Sequence, residues 1–320
     1  MTRIVLAVLL AMAASTGIGH AQSWPSKQVR VIVPVSAGSA IDIVARATSQ
    51  RLSKVLGQTF VVENRAGAGT TLGAAVVAGA TADGYTLLFA STALATTPST
   101  IANLSYVVDR DLVAVAPITN TPLVMAVPHG KYKNLRDMVA AAKAAKNPIS
   151  YGTNGYGSAS HFASERFNLA AGIKGLPIPF KGTPEAMTEV MTDRLGFYLS
   201  PLTATLAQVA GGKVDALATT GRKRSPGAPD IPTTIEAGYP NSDFDFWVGL
   251  FAPAKTPPEI IDRLHREARQ ISESSEFLKA MAAIGGEPLE SMTSSQFGDY
   301  VRAELARHAA VAKAVGLVPK

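Results

Sequence analysis

Residues 29–57 read VRVIVPVSAGSAIDIVARATSQRLSKVLG, and this stretch decides the fold class. Residues 29–35 are a nearly unbroken β-branched run, the pattern of a strand buried on both faces. Residues 36–39 are small, a loop. Residues 40–56 repeat apolar side chains at helical spacing and stop at Gly57, a helix-ending residue. The pattern then recurs. Residues 59–63 form a second strand, 64–71 a glycine-rich turn, and 72–79 a helix. Asp83-Gly84 makes a turn, and 85–90 is a third strand. Strands alternating with helices at this spacing predict an α/β protein with a largely parallel sheet covered on both faces.

Further along, 112–117 and 123–127 read as two strands, followed by a helix over 135–146. A short strand ends at 150–152 and opens a second glycine-rich loop. A helix over 158–171, a strand at 176–180, a helix at 184–192 and a strand at 195–199 follow. A helix at 204–210 and a strand at 214–219 complete this block. The fresh βα series predicts a second lobe. Pro226, Pro229, Pro232 and Pro240 mark 221–245 as a long surface connection. A strand at 246–251 and helices at 258–268, 276–284 and 297–315 remain. The last helix has a partner only if it returns to the first lobe. The expected division is 24–123 with 230–320 as lobe 1, and 124–229 as lobe 2.

The 320 residues are 47% hydrophobic, enough to bury two cores. Arg3, the apolar run over 4–14 and Gly19-His20-Ala21 predict a secretory signal peptide over 1–21. There is no cysteine, so disulfides, a lipid anchor on cysteine and thiolate metal sites are excluded. The formal net charge is +6, or +5 once Arg3 is removed with the leader. A positive field favours the arrival of anions. The basic residues form no stripe interleaved with aromatics, so no nucleic-acid partner is expected.

Parallel sheets bind ligands beyond the C-terminal ends of their strands. Four loops occupy such ends: 36–42, 91–94, 153–161 and 180–184. They are rich in Ser, Thr and Gly, and three open helices. Exposed backbone N–H groups, hydroxyls and helix N-termini together suit carboxylates or phosphates. The AGAGTTLG stretch at 66–73 misses both the dinucleotide and the Walker spacing, and reads as a turn supporting the first loop.

Catalytic chemistry finds little support. His265 and His308 read as solvated residues on amphipathic helices, and His129 follows a strand at a turn. Ser158 and His161, three apart at a helix start, could form a nucleophile pair, but no third member and no G-x-S-x-G elbow accompanies them. No clustered carboxylates or H-E-x-x-H suggest a metal. Asp42 is open to two readings: a cap and field complement in the first helical turn, or a shaper of the pocket rim.

Seven stretches, taken in order, carry a resemblance: WPSKQVRVIVPVSAGSAIDIVAR (24–46), LGQTFVVENRAGAGTTLGA (56–74), TADGYTLLFAS (81–91), YGTNGYGSASH (151–161), PFKGTPEAMTEVMTDRLGF (179–197), GGKVDALATTGRKRSPGAPDIPTTIEAGYP (211–240) and FWVGLFAPAKTPPEI (246–260). Over nearly the whole mature chain they resemble the Bug family of periplasmic solute receptors, the TctC-like binding proteins of tripartite tricarboxylate transporters. The resemblance implies a two-lobed, type II-like periplasmic-binding-protein fold that closes like a Venus flytrap. Each lobe is a mixed, mostly parallel sheet flanked by helices. It also implies a monomer that binds a small carboxylate for a two-component inner-membrane permease, without catalytic residues or cofactor.

The ligand site implied by the resemblance begins with Val35, Ser36, Ala37, Gly38, Ser39 and Asp42 in the first loop. Ser91 and Thr92 follow the third strand. Thr153, Asn154, Gly155, Tyr156, Ser158 and His161 belong to the glycine-rich loop of the other lobe. Phe180 and Lys181 precede Gly182, and Ser200 stands where the family commonly has aspartate. The family's proline-rich first loop is also changed here, to Pro34-Val35-Ser36-Ala37-Gly38-Ser39. Ser200, Phe180 and Tyr156 together suggest a dicarboxylate with an apolar or aromatic body, such as terephthalate or adipate, with citrate-like tricarboxylates still open. A periplasmic ligand sensor for a signalling receptor is the alternative, and a hydrolase using the cleft is a third reading.

Overall fold

The structure, a computed structural model, describes residues 24–283, 285–314, 316, 317 and 319. The expected signal peptide over 1–21 lies outside the described residues. Strand β1 (Val29–Val33) leads through the first loop into α1 (Ala40–Leu56), then β2 (Phe60–Asn64), α2 (Thr71–Ala78) and β3 (Thr86–Ser91). The short helices α3 (Ala93–Thr96) and α4 (Val108–Asp111) precede the long strand β4 (Leu112–Pro128). Then come α5 (Leu135–Ala144), β5 (Ile149–Thr153), α6 (Ala159–Ala171), β6 (Gly175–Pro179) and α7 (Thr183–Met191). The chain continues with β7 (Phe197–Pro201), α8 (Leu202–Ala210), β8 (Val214–Thr219), β9 (Asp245–Pro253), α9 (Pro258–Glu273), α10 (Ser275–Ala282) and α11 (Ser294–Ala314).

The strands run in the order β2-β1-β3-β9-β4-β7-β5-β6, with β8 also on β4. β1 lies parallel between β2 and β3, and β5 lies parallel between β6 and β7. β4 and β9 supply the antiparallel pairs that make each sheet mixed. Its first part, from Leu112 to Pro122, pairs with β9; from Leu123 onward it pairs with β7 and β8. The expected strands at 112–117 and 123–127 are therefore one. Thr119, Asn120 and Thr121 keep their partners on β9, and register shifts on either side of Pro117 accommodate its missing donor. This continuous strand ties two otherwise separate sheets.

The first sheet is covered by the apolar stripes of α1 (Ile41, Val44, Ala45, Leu52) and α9 (Ile260, Ile261, Leu264, Ala268). On its other face α11 returns, as its orphan pattern required. Phe297 meets Trp247 edge-on at 5.8 Å, and Gly249 leaves the room: a Cβ there would stand 2.4 Å from the Phe297 ring. The second sheet buries Phe162 and Phe167 of α6 against Tyr151 and Phe197. Residues from Thr233 to Phe244 pack on this sheet and its helices. Thr233 bridges to Thr219, Tyr239 meets the Phe167 ring at 5.5 Å, and Arg166 reaches Asp243 at 3.0 Å.

His308 departs from its solvated reading. It is 1% exposed and packs its ring on Phe162 of α6 and Phe244, at 5.0 and 5.6 Å. A buried imidazole needs a polar partner, and Glu304, one turn back, supplies it at 3.1 Å from Nε2. Burial pushes the Glu304 pKa up, but the hydrogen bond from His308 and the charges of His308 and Arg307 outweigh it, leaving the carboxyl below its ordinary value. His265 is half-buried, with Nδ1 2.9 Å from the Val115 carbonyl.

Candidate binding cleft

The three longer helices that open at the predicted loops do so around one point. Ser39, Ala40 and Ile41 at the start of α1 line a small cavity of about 10 Å³, together with Ser158 and Ala159 at the start of α6 and Thr183 at the start of α7. Val35, Thr70, Ser91, Asn154, Pro201 and Phe246 complete the wall. The local sequence explains the convergence. Each helix follows a strand of its own sheet, so each N-terminus emerges at a carboxyl edge. Ser158 caps α6 by accepting from the His161 N–H at 3.3 Å, and Gly182 opens α7. Three helix ends concentrate unpaired N–H groups and positive dipole ends, an environment that favours an anion.

Beside this cavity, and sharing Asn154 with it, lies a cleft of about 680 Å³. One side is Gly67, Ala68, Gly69 and Ile101; the other is Gly155, Tyr156, Pro179, Phe180, Lys181 and Glu185. The wall is chiefly apolar. Tyr156 is 46% exposed along it.

The two sides touch across the cleft. Ser36 Oγ donates to Glu185 Oε1 at 2.7 Å, Ser39 Oγ accepts from the Thr183 N–H at 3.2 Å, and Thr96 Oγ1 donates to the Gly157 carbonyl at 2.6 Å. Glycines permit the approach. A Cβ on Gly69 would meet the Tyr156 carbonyl at 2.3 Å, and one on Gly155 would meet Gly69 at 2.8 Å.

Behind the wall the polar groups are satisfied. Asp42 accepts from the Gly38 N–H, Arg46 Nε and Asn64 Nδ2, each at 2.9 Å, while Asn64 also holds the Val35 carbonyl. Burial raises the Asp42 pKa, but the bonds from Arg46, Gly38 and Asn64 hold the carboxyl below its ordinary range. Thr92 is likewise engaged: its hydroxyl donates to the Asp245 carbonyl and accepts from the Trp247 N–H, each at 3.0 Å, fastening β9 to the loop after β3. Tyr198, wholly buried, donates to Asn154 Oδ1 at 2.9 Å, and burial pushes its hydroxyl up to about 12. Asn154 is thereby oriented toward both cavities.

Comparison with known proteins agrees with this architecture. The family model for the tripartite tricarboxylate transporter family receptor matches residues 44–317. The chain belongs to this family. It is similar to BugT of Bordetella pertussis, 34% identical over 99% of this chain and 98% of BugT. Among solved structures it resembles Rpa4515 of R. palustris, determined with adipate, with a TM-score of 0.89, 29% identity, and coverage of 93% of this chain and all of that one. MatC of Rhodopseudomonas palustris, determined with bound malate, gives a TM-score of 0.84 and 28% identity over 90% of this chain and 99% of that one. The protein is thus a periplasmic carboxylate-binding receptor with the two-lobed fold; it captures a solute and does not convert it.

In the receptor, the residues singled out from sequence divide by position. Val35, Ser39, Ser91 and Ser158 line the small cavity; Gly155, Tyr156, Phe180 and Lys181 line the larger cleft; Asn154 lines both. Ala37 and Gly38 lie exposed beside them. Ser36, Asp42, Thr92 and Thr153 support the walls, Thr153 by accepting from the Gly155 N–H at 3.1 Å. His161 Nδ1 accepts from the Gly157 N–H at 3.1 Å, and Ser158 is bonded to the His161 backbone, so the pair is a capping arrangement. Ser200 is wholly buried and its hydroxyl accepts from Thr205 at 2.7 Å. Sequence reasoning missed Gly69, Thr70, Ile101 and Glu185. For Gly69 and Thr70 the signal was present in AGAGTTLG, set aside there as a supporting turn.

Proposed function

We propose that the receptor captures a small dicarboxylate with an apolar or aromatic body, terephthalate and adipate being the leading candidates, and delivers it to a two-component inner-membrane permease. The observation that carries this reading is the adjoining of a small cavity ringed by three helix N-termini and a wide apolar cleft. One carboxylate is drawn to the helix ends, where charge-assisted hydrogen bonds are stronger than neutral ones, and the small cavity there widens to admit it. The body of the ligand then lies along Ile101, Tyr156 and Phe180, and Lys181 meets the outer carboxylate. The adipate in the Rpa4515 structure, a linear dicarboxylate, supports this class. Calorimetric titration with terephthalate, adipate, malate and citrate tests it. Tightest binding of terephthalate or adipate is expected, and tighter binding of citrate than of every dicarboxylate would refute it.

We also propose that the second lobe extends to about residue 244. The ties of Thr233, Tyr239 and Asp243 to β8 and α6 support moving that boundary from 230. The first lobe would then resume at β9.

A further inference from the structure

We propose that Glu185 is a specificity-determining residue that limits the ligand to two carboxylates and turns away tricarboxylates. This rests on the reading of the cleft as a carboxylate site. Lys181 and Glu185 are the charged residues among the described residues lining the larger cleft. Glu185 stands in the first turn of α7, and its carboxylate is held from the opposite lobe by the Ser36 hydroxyl at 2.7 Å. It is therefore a fixed feature of the closed wall.

The charges allot the ligand's groups. An ionised carboxylate offers only acceptor oxygens, and an ammonium offers three donors. The helix ends around the inner cavity, once its walls part, receive the first carboxylate, and Lys181 receives the second. A third carboxylate meets either Glu185, a like charge, or the hydrocarbon surface of Ile101 and Phe180, which offers a desolvated anion no hydrogen bond. Repulsion built against a competitor is an economical source of selectivity. The Ser36 hydroxyl is what aims the repulsive group.

The test compares glutarate with tricarballylate, which differ by one carboxylate on the central carbon. Both are titrated calorimetrically at neutral pH into the wild-type receptor and Glu185→Gln. The variant removes the charge and keeps both size and an acceptor for Ser36; because Glu185 is exposed, the fold is retained, and a thermal melt verifies this. The wild type should prefer glutarate, and the variant should narrow that preference about tenfold, the scale of one like-charge contact in a partly screened cleft. An unchanged ratio, with glutarate still bound, would overturn the role of Glu185 alone. A wild type that binds neither probe, nor adipate, would overturn the carboxylate reading and this inference with it.

Discussion

Replacing Gly182 with alanine should weaken ligand capture while leaving each lobe folded. Gly182 has an extended backbone with φ of −175°, which any residue adopts, so alanine adds no strain within its own lobe. Its Cβ would stand 2.9 Å from Ser36 Cβ and 2.7 Å from Ser39 Oγ, both on the opposing lobe. Carbon atoms settle at about 3.6 Å, so the lobes must separate by roughly 0.7 Å at this point. That movement stretches the Ser39–Thr183 and Ser36–Glu185 hydrogen bonds, now 3.2 and 2.7 Å. At about 1 kcal/mol each, their loss weakens the closed form by roughly 2 kcal/mol, or about thirtyfold in affinity. The assay is calorimetric titration of adipate with a parallel thermal melt. Gly57→Ala is the control: Gly57 has φ of 69° and nothing within 4 Å, so alanine there costs stability through strain and leaves affinity alone. An affinity for Gly182→Ala within twofold of wild type would refute the reasoning, as would a control that loses affinity equally.

Two further substitutions probe the groups behind the wall. Asp42→Asn replaces an acceptor of three hydrogen bonds by a group that turns a donor toward one of them, at a cost of about 1–3 kcal/mol. Because the Asp42 pKa is held below the ordinary aspartate value, its contribution is complete above that ordinary value and is lost as pH falls through the lower folded one. Urea titrations near neutral pH and near pH 3 should therefore show wild type losing more stability on acidification than the variant; equal losses would count against the bonding scheme. Ser200→Asp places a carboxylate beside the Thr205 and Tyr198 hydroxyls, with no exposed surface. A melting temperature lower by roughly 5–10 °C is expected for an unpaired buried charge. An unchanged melt would mean that this side chain reaches water.

Much of the framework was legible because the responsible forces are local. The β-branched run before the first loop, the stop at Gly57 and the hydroxyl and glycine loops at helix starts each act within a few residues. Strand β4 was half legible. Its apolar halves were read separately, because Thr119, Asn120 and Thr121 look like a turn until β9 offers them a partner. His308 was misread for a related reason. An amphipathic helix shows which side is polar, but it does not show that Phe162 and Phe244, distant in sequence, cover a histidine that Glu304 satisfies. Thr92 is the converse case. A hydroxyl at the end of a strand advertises a donor, yet its capacity is consumed by β9, 153 and 155 residues away.

The cleft residues were the hardest to read, since they become a site only when two lobes meet. Glu185 alone is an ordinary acidic residue in a first helical turn, favourable to the dipole there. It acquires another meaning only with Ser36, 149 residues earlier, at 2.7 Å. The same holds for the helix ends. The α1 terminus belongs to one lobe and the α6 and α7 termini to the other, yet all three border one cavity. An anion in an open cleft would face one set of N–H groups with water at its back. In the closed cleft it would face both, with the water removed. The difference between those two environments is the free energy available to drive closure. A solute lacking that charge could fill the apolar cleft and still supply little reason for the lobes to shut. On this argument the charge of the ligand does more than provide affinity. It links occupancy to shape, and shape is what a transport partner can sense.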